Sequence, residues 1–314
     1  MKIVDYDQAD PIGVLNLNLL SLDYALTPER VALIRHLDPR PFPFFGVYAI
    51  EGGIVAGQVA VYRLTMISTE GPEDVGGACA VCTHPAFNRQ GIAARLFDET
   101  HARMRAAGLR FSTLGTTRYR GAYDFYRRQG YEDVLIADST FARFDAVRKN
   151  STLRVECASK ERLPLADAFF PCAAAGRLGF ARRTSSFLQM LAVTGDLNAQ
   201  DVWLIWDQDN LAGYALARVQ ESILKVDDVL LADRTEAAEV VAAIAHETGA
   251  EYLHVRINRP SVAASLMRAG YPHAYPGWST FMVKPLIPNV TTDDFRRRFG
   301  VSTEEFMIAP VDVT

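Results

Sequence analysis

Thr83-His-Pro-Ala-Phe-Asn-Arg-Gln-Gly-Ile-Ala-Ala94 lies between an apolar run, Ala78 to Cys82, and a segment of helical periodicity, Ile92 to Ala107. A strand that passes through a short loop into a helix presents unpaired backbone N–H groups, because the first turn of a helix has no internal partners for them. The helix dipole adds partial positive charge at the same end, so the turn suits an anion. Gly91 permits close approach to the backbone, and Arg89 supplies a charge suited to phosphate. These residues predict a phosphate-binding turn, with an ordinary strand-to-helix connection as the competing reading.

Outward from this loop, Ile92, Leu96, Phe97, Thr100 and Met104 recur at helical spacing, so one face of that helix packs on a sheet, and Gly108 is placed at its end. Leu109 to Leu114 reads as a strand, followed by the loop Gly115 to Gly121. Ala122 to Gln129 is a short helix closed by Gly130, and Tyr131 to Phe144 supplies the final strands of the unit. Upstream, Lys2 to Tyr6 is a strand. Asp10-Pro11 and Thr27-Pro28-Glu29 open two helices, the second ending before the Pro39 to Pro43 stretch. A hairpin turns at Glu51-Gly52-Gly53, and Ser68 to Gly77 reads as a polar loop.

The stretch from Thr83 to Ala94 resembles the acetyl-CoA loop of the GNAT acetyltransferases, written R/Q-x-x-G-x-G/A after a hydrophobic residue, a variable residue and Pro. Thr83, His84 and Pro85 fall on the lead-in, Gly91 and Ala93 on the small positions, and Asn88 departs from the usual Arg or Gln. Ala122-Tyr-Asp-Phe-Tyr-Arg-Arg-Gln-Gly-Tyr131 resembles the second signature of that family. Two short motifs in the right order are much harder to obtain by accident than one. The resemblance implies acetyl-CoA as cosubstrate, with the backbone of Val81, Cys82 and Thr83 on pantetheine and the acetyl carbonyl. Asn88, Arg89, Gln90, Gly91, Ile92, Ala93 and Ala94 are implied around the pyrophosphate, and Tyr119 beside the cofactor. It implies Tyr126 as the general acid that protonates the departing thiolate, with Tyr123 and Tyr119 as alternatives. Glu70, Glu73, Asp74 and His84 are candidates for the base, and none is chosen.

The rest of the chain reads as a second copy. Leu211-Ala-Gly-Tyr-Ala-Leu-Ala217 echoes Val55-Ala-Gly-Gln-Val-Ala-Val61, and Ala263 to Tyr271 parallels Tyr123 to Tyr131, with Leu266 where the first copy has Tyr126. Trp278 to Lys284 closes this unit. The helix entrance at Asp233-Arg-Thr-Glu236 has no glycine and two carboxylates, which repel a pyrophosphate. The expected fold is therefore α+β (α/β mixed), with two tandem GNAT-like domains, each a mostly antiparallel mixed sheet flanked by helices. Residues 1–147 form the acetyl-CoA-binding domain, 148–285 a degenerate one with structural or acceptor-shaping duties, and 286–314 a docked tail. In that tail Thr291 starts a short helix ending at Gly300, and Ser302-Thr-Glu-Glu305 resembles a capping box.

Composition sets outer limits. The chain of 314 residues has 49% apolar residues, 22% charged residues and a formal net charge of −4. That balance argues against a nucleic-acid partner. No apolar run approaches the ~18 residues of a membrane span, and the charged N-terminus is unlike a signal peptide, so a cytoplasmic protein is expected. Cys79 and Cys82 form C-x-x-C with His84 behind, but strand residues three apart point to opposite faces, so no metal site is expected. The function expected is a CoA-dependent N-acetyltransferase acting on a small-molecule amine or peptide acceptor. The alternatives are a non-catalytic acyl-CoA sensor, or an acyltransferase with another acyl group or acceptor. Oligomeric state is not legible.

Overall fold

The computed structural model describes residues 1–119, 121–144, 153–232, 235–257, 259–272 and 279–313. After the short strand β1 (Lys2–Asp5), helix α1 (Pro11–Leu22) opens on Asp10, whose carboxylate accepts the N–H groups of Ile12 and Gly13. Helix α2 (Pro28–Leu37) opens on Thr27 with Pro28 in its first turn, as the sequence predicts. The hairpin of β2 (Pro41–Glu51) and β3 (Ile54–Ser68) follows, and β3 turns directly into β4 (Gly71–Thr83). The stretch read as a polar loop is thus largely the first half of β4, paired with β3 from Ser68↔Gly71 onward. Its polar side chains mislead because they are held by arginines of other elements: Glu73 pairs with Arg110 at 2.7 Å and Arg298 at 3.2 Å.

Helix α3 (Ile92–Ala106), strand β5 (Phe111–Thr117), helix α4 (Gly121–Arg128) and strands β6 (Glu132–Ile136) and β7 (Asp138–Arg143) complete the first half. Through the second half run β8 (Arg154–Cys157), α5 (Leu163–Ala173), β9 (Leu178–Gly179), α6 (Phe187–Thr194), β10 (Val202–Asp207) and β11 (Asn210–Gln220). Then come β12 (Ile223–Leu231), α7 (Ala237–Thr248), β13 (Tyr252–Ile257), α8 (Pro260–Arg268) and β14 (Ser279–Pro285). The tail holds α9 (Thr292–Phe299) and β15 (Phe306–Met307).

Two mixed sheets result. The first runs β1-β2-β3-β4-β5-β14-β6, and the second β7-β13-β12-β11-β10-β8. Along these paths each contains one parallel pair, β4 with β5 and β12 with β13, joined by the crossover helices α3 and α7, and the short β9 and β15 add a further parallel pair beside β3 in the first sheet. The closing strands differ from the sequence reading, because each half gives its last strand to the other. Strand β14 sits between β5 and β6, while β7 pairs with β13. The expected domain boundary at residues 147 and 148 lies outside the described residues.

The first sheet is covered on both faces. Val14, Leu17, Val31 and Ile34 of α1 and α2 pack on one, and Leu96, Phe97 and Met104 of α3 on the other. Gly57 makes the α3 contact possible: a Cβ there would meet Ile92 Cγ2 at 2.9 Å and Leu96 Cδ1 at 3.2 Å. The tail is docked, with Phe295 and Phe299 of α9 fully buried beside Phe111. Its capping box lies at Thr291 and Asp294. Residues 302–305 instead make a turn in which Thr303 Oγ1 accepts the Glu305 N–H at 3.2 Å. Among the described residues no helix is long and apolar enough to cross a membrane.

Candidate active site

The loop that opens α3 is exposed from Asn88 to Gly91, with Ile92 buried behind it. Gly91 is the N-cap residue, at φ 77°, and no side chain caps the turn. The N–H groups of the first turn, Ile92 to Ala94, therefore face outward beside the Arg89 backbone, itself at φ 61°. An anion fits such an end, since donors and dipole point the same way.

Beside this loop the central sheet opens. Strands β4 and β5 pair at Gly76↔Ser112 and Gly77↔Thr113 and then part. Beyond that point β5 stays with β14 as far as Thr117↔Ser279, and β4 stays with β3 as far as Thr83↔Gly57. The wedge between them leaves strand backbone outside any ladder, as an extended ligand requires.

Strand β4 also carries a bulge. Its register to β3 shifts between Gln58 and Ala60, and Ala80 takes φ 45°. A left-handed residue with a Cβ costs about 1–2 kcal/mol, so something must hold it. The Gln58 side chain donates to the Ala80 carbonyl at 3.0 Å, and the amides of Gln58 and Asn18 bond each other twice at 2.8 Å. The bulge corrects the reading of the cysteines. Cys79 lies opposite Ala60 and Cys82 opposite Gln58, so both point to the α1 side rather than to opposite faces. Both thiols are pushed up to about 12 by burial. Among the described residues no three His, Cys, Asp or Glu side chains gather as a metal-holding group.

Three tyrosines pack in the core on the α3 side of the sheet, and they differ in what their hydroxyls do. Tyr123 donates to Asp133 Oδ2 at 2.6 Å, with Arg118 over its ring at 5.7 Å. The Tyr131 hydroxyl is held by His101 Nε2 at 2.9 Å and Ser112 Oγ at 2.6 Å. Tyr126 is packed by its ring alone, edge-on to Phe97 at 5.8 Å and Phe125 at 5.5 Å. Burial pushes its phenol up to about 12, and the thiols of Cys79 and Cys82 add to the shift. Tyr119 is 68% exposed at the surface.

On the opposite face of the sheet a cavity of about 400 Å³ meets β4 at Cys79 and Ala80. Tyr24, Phe45, Tyr48 and Tyr62 give it aromatic walls. Leu191 and Asp196 of the second half enter it, and Pro310, Val311 and Val313 of the tail close it. Pro310 and Val313 also line a second cavity of about 310 Å³ beside the paired ends of β5 and β14. The tail therefore does more than pack. It is anchored by Arg183 and Asp312, whose side chains are each 4% exposed and joined by two contacts of 2.7 Å.

The candidate bases are engaged elsewhere. Glu70 pairs with Arg298 at 2.8 Å, and Asp74 accepts from Thr65 Oγ1 at 2.7 Å. His84 Nδ1 accepts the Ala86 N–H at 3.2 Å within the loop itself. The sequence reading missed Gln58, Asn18 and the Arg183–Asp312 anchor. Gln58 carried a signal, as a polar residue in the middle of the apolar run from Val55 to Val61, whereas nothing near Asp312 points to its distant partner.

In sequence, residues 32–134 match the model of the acetyltransferase (GNAT) domain family. Over that segment the chain is similar to a GNAT acetyltransferase domain. The matched segment spans the bulge of β4, the loop and α4, and so includes both motifs. None of the curated proteins matches the chain in sequence. Among solved structures, the fold is similar to a protein of unknown function from Enterococcus faecalis V583, named a probable N-acyltransferase. The TM-score is 0.65 at 14% identity, over 91% of this chain and 72% of that one. A GCN5-related N-acetyltransferase from Anabaena variabilis ATCC 29413 gives a TM-score of 0.64 at 16% identity, over 91% and 73%. One from Kribbella flavida gives 0.58 at 16%, over 90% and 70%. At such identities the likeness speaks for the fold, which is the α+β arrangement of two mixed sheets flanked by helices that the sequence predicts.

The second half is equipped differently at the same places. At the entrance of α7, Glu236 pairs with Arg268 at 2.8 Å, while Asp233 lies outside the described residues. Leu266, the counterpart of Tyr126, is fully buried in the core of the second sheet.

Proposed function

We propose that the GNAT domain transfers an acetyl group from acetyl-CoA to a primary amine by direct attack, with one active site per chain, in the N-terminal half. The observation that carries this reading is the wedge between β4 and β5, which ends at the uncapped first turn of α3. The pieces fit an elongated thioester with an anionic end. The N–H groups from Arg89 to Ala94 receive the pyrophosphate, with Asn88, Gln90 and the Arg89 side chain at the rim. The backbone of Val81 to Thr83 hydrogen-bonds the pantetheine arm and polarises the acetyl carbonyl. Tyr119 lies on the same side, near the cofactor.

Bound acetyl-CoA supplies the acetyl group as an activated thioester. The amine nitrogen forms a bond to the carbonyl carbon, and the carbon–sulfur bond breaks with its electron pair going to sulfur. Tyr126 gives the sulfur its proton, and the nitrogen loses its extra proton to solvent. Burial keeps Tyr126 protonated throughout the physiological range, and its hydroxyl lacks the structural bonds that occupy Tyr123 and Tyr131.

The test is the Tyr126→Phe variant in two assays. Amine-dependent CoA release should fall by about 10²-fold, the usual weight of a general acid, while calorimetric binding of acetyl-CoA persists. Near-normal turnover would remove Tyr126 from the mechanism. If wild-type protein binds acetyl-CoA tightly yet no amine releases CoA, the domain is a sensor instead.

A further inference from the structure

The cavity that meets β4 at Cys79 and Ala80 lies across the sheet from Tyr126, where an amine would approach the thioester. Among the described residues its walls hold only neutral or neutralised groups. Burial pushes the phenols of Tyr24, Tyr48 and Tyr62 above their ordinary value. The Arg40 guanidinium is paired with Asp38 through contacts of 2.9 and 2.7 Å and lies over the Tyr62 ring at 5.3 Å. The single acidic lining residue, Asp196, already accepts from Arg30 at 2.8 Å, from Tyr24 Oη at 2.9 Å and from Thr194 Oγ1 at 2.8 Å. Arg30 itself lies over the Tyr24 ring at 4.3 Å.

Two of the four rings thus already hold a guanidinium, and the nearby charges cancel: Arg30 and Arg40 against Asp38 and Asp196. Among the described residues, an acceptor with several ammonium groups would meet two fixed cations and no spare carboxylate, leaving buried charge unpaired. An acceptor with an apolar or aromatic body and one amine has only that single polar group to desolvate there, and gains edge and face contacts with Phe45 and Tyr48. Its lone amine has to reach only the bulge at Ala80.

We propose that the acceptor is a hydrophobic, aryl-bearing monoamine seated among Tyr24, Phe45, Tyr48 and Tyr62, rather than a polycation. The assignment rests on the transferase reading for its chemistry but on the cavity alone for its ligand. Asp196 and the tail make this selectivity a joint product of the two halves, because the first half by itself supplies neither the wall at Leu191 and Asp196 nor the lid at Val311 and Val313.

The experiment uses the full chain, 2-phenylethylamine and spermidine, with calorimetric binding and CoA release measured separately. The expected result is saturable binding of 2-phenylethylamine and a kcat/KM at least about tenfold above that for spermidine. Ala60→Phe, which fills the cavity beside Cys79, should abolish the binding of 2-phenylethylamine and leave acetyl-CoA binding intact. Leu22→Trp, at a position 39% exposed on the cavity wall, serves the same end should Ala60→Phe not fold. Preference for spermidine, absence of 2-phenylethylamine binding, or binding indifferent to both substitutions overturns the proposal. Saturable, substitution-sensitive binding without CoA release upholds the cavity assignment and overturns the transferase reading instead.

Discussion

His101 has to remain neutral for the first half to hold together. It is 1% exposed on α3, and its ring nitrogens face Tyr131 Oη at 2.9 Å and Lys284 Nζ at 3.2 Å. An ammonium can only donate, so Nδ1 accepts from Lys284 and the proton sits on Nε2, donating to Tyr131, whose hydroxyl in turn donates to Ser112. Burial, followed by the charges of Lys284 and Arg105, holds the His101 pKa down at about 3. The unfolded chain takes up this proton near pH 6.5, so between those values the unfolded state binds more protons than the folded one. Stability is complete above pH 6.5 and is lost progressively as pH falls towards 3. The His101 contribution to the slope is at most about 1.4 kcal/mol per pH unit. Urea midpoints of wild type and His101→Gln measured between pH 7.5 and 4.5 check this: the variant should be less stable at neutral pH but lose less on acidification. Parallel pH profiles would sink the argument. Other residue-level features were equally closed to a reading of the sequence. The helical spacing of Ile92, Leu96, Phe97, Thr100 and Met104 placed one face of α3 inward, and the same face carries His101. Nothing local, however, pairs that histidine with Lys284, on a strand borrowed from the far end of the chain.

At the scale of elements, these helix starts were legible because their signals are local: Asp10, Thr27 and Thr291 each act within a few residues of where they sit. The bulge of β4 was not, since it depends on Gln58 and Asn18, which reach Ala80 from another strand and another helix. The tail is the clearest case. Its role depends on one ion pair, with Arg183 also donating to Tyr214 Oη at 2.9 Å and lying over the Phe170 ring at 4.3 Å. Removing Asp312 leaves that guanidinium buried without its partner, a loss of about 3–5 kcal/mol. Asp312→Ala should therefore lower stability by this amount in urea titrations. It should also raise the KM for the amine, with little change in acetyl-CoA affinity, because Pro310, Val311 and Val313 close the acceptor cavity and stay clear of the α3 loop. Pairing it with Arg183→Met should recover part of the stability, since two matched apolar groups are cheaper to bury than one orphaned charge. An Asp312→Ala protein with wild-type stability and KM would mean that the tail holds its place without the anchor.

For the whole molecule, the repeat was visible in sequence as two hairpins, two crossover helices and two Gly-Tyr segments in matching order. What stayed hidden is which closing strand joins which sheet. Strands β7 and β14 are both short and share a Ser-Thr-Phe run, so their patterns suit either sheet, and proximity along the chain favours the wrong choice. The exchange makes the halves mutually dependent. Without β14, strands β5 and β6 lose the neighbour that lies between them, and with it Phe281, Met282 and Val283, each at most 4% exposed. Side chains of that kind contribute about 1.5–3 kcal/mol apiece, comparable in sum with the net stability of many domains. The second sheet loses its edge strand when β7 is missing from beside β13. Residues 1–147 produced alone should accordingly fail to give a cooperative unfolding transition and should show no amine-dependent CoA release, although they contain the α3 loop and Tyr126. Produced together, residues 1–147 and 148–314 should copurify as one complex by size-exclusion chromatography and regain a single transition. A monomeric, cooperatively folding 1–147 fragment would show instead that β6 or β7 can fill the place of β14, and that the exchange is a choice between two nearly equal pairings.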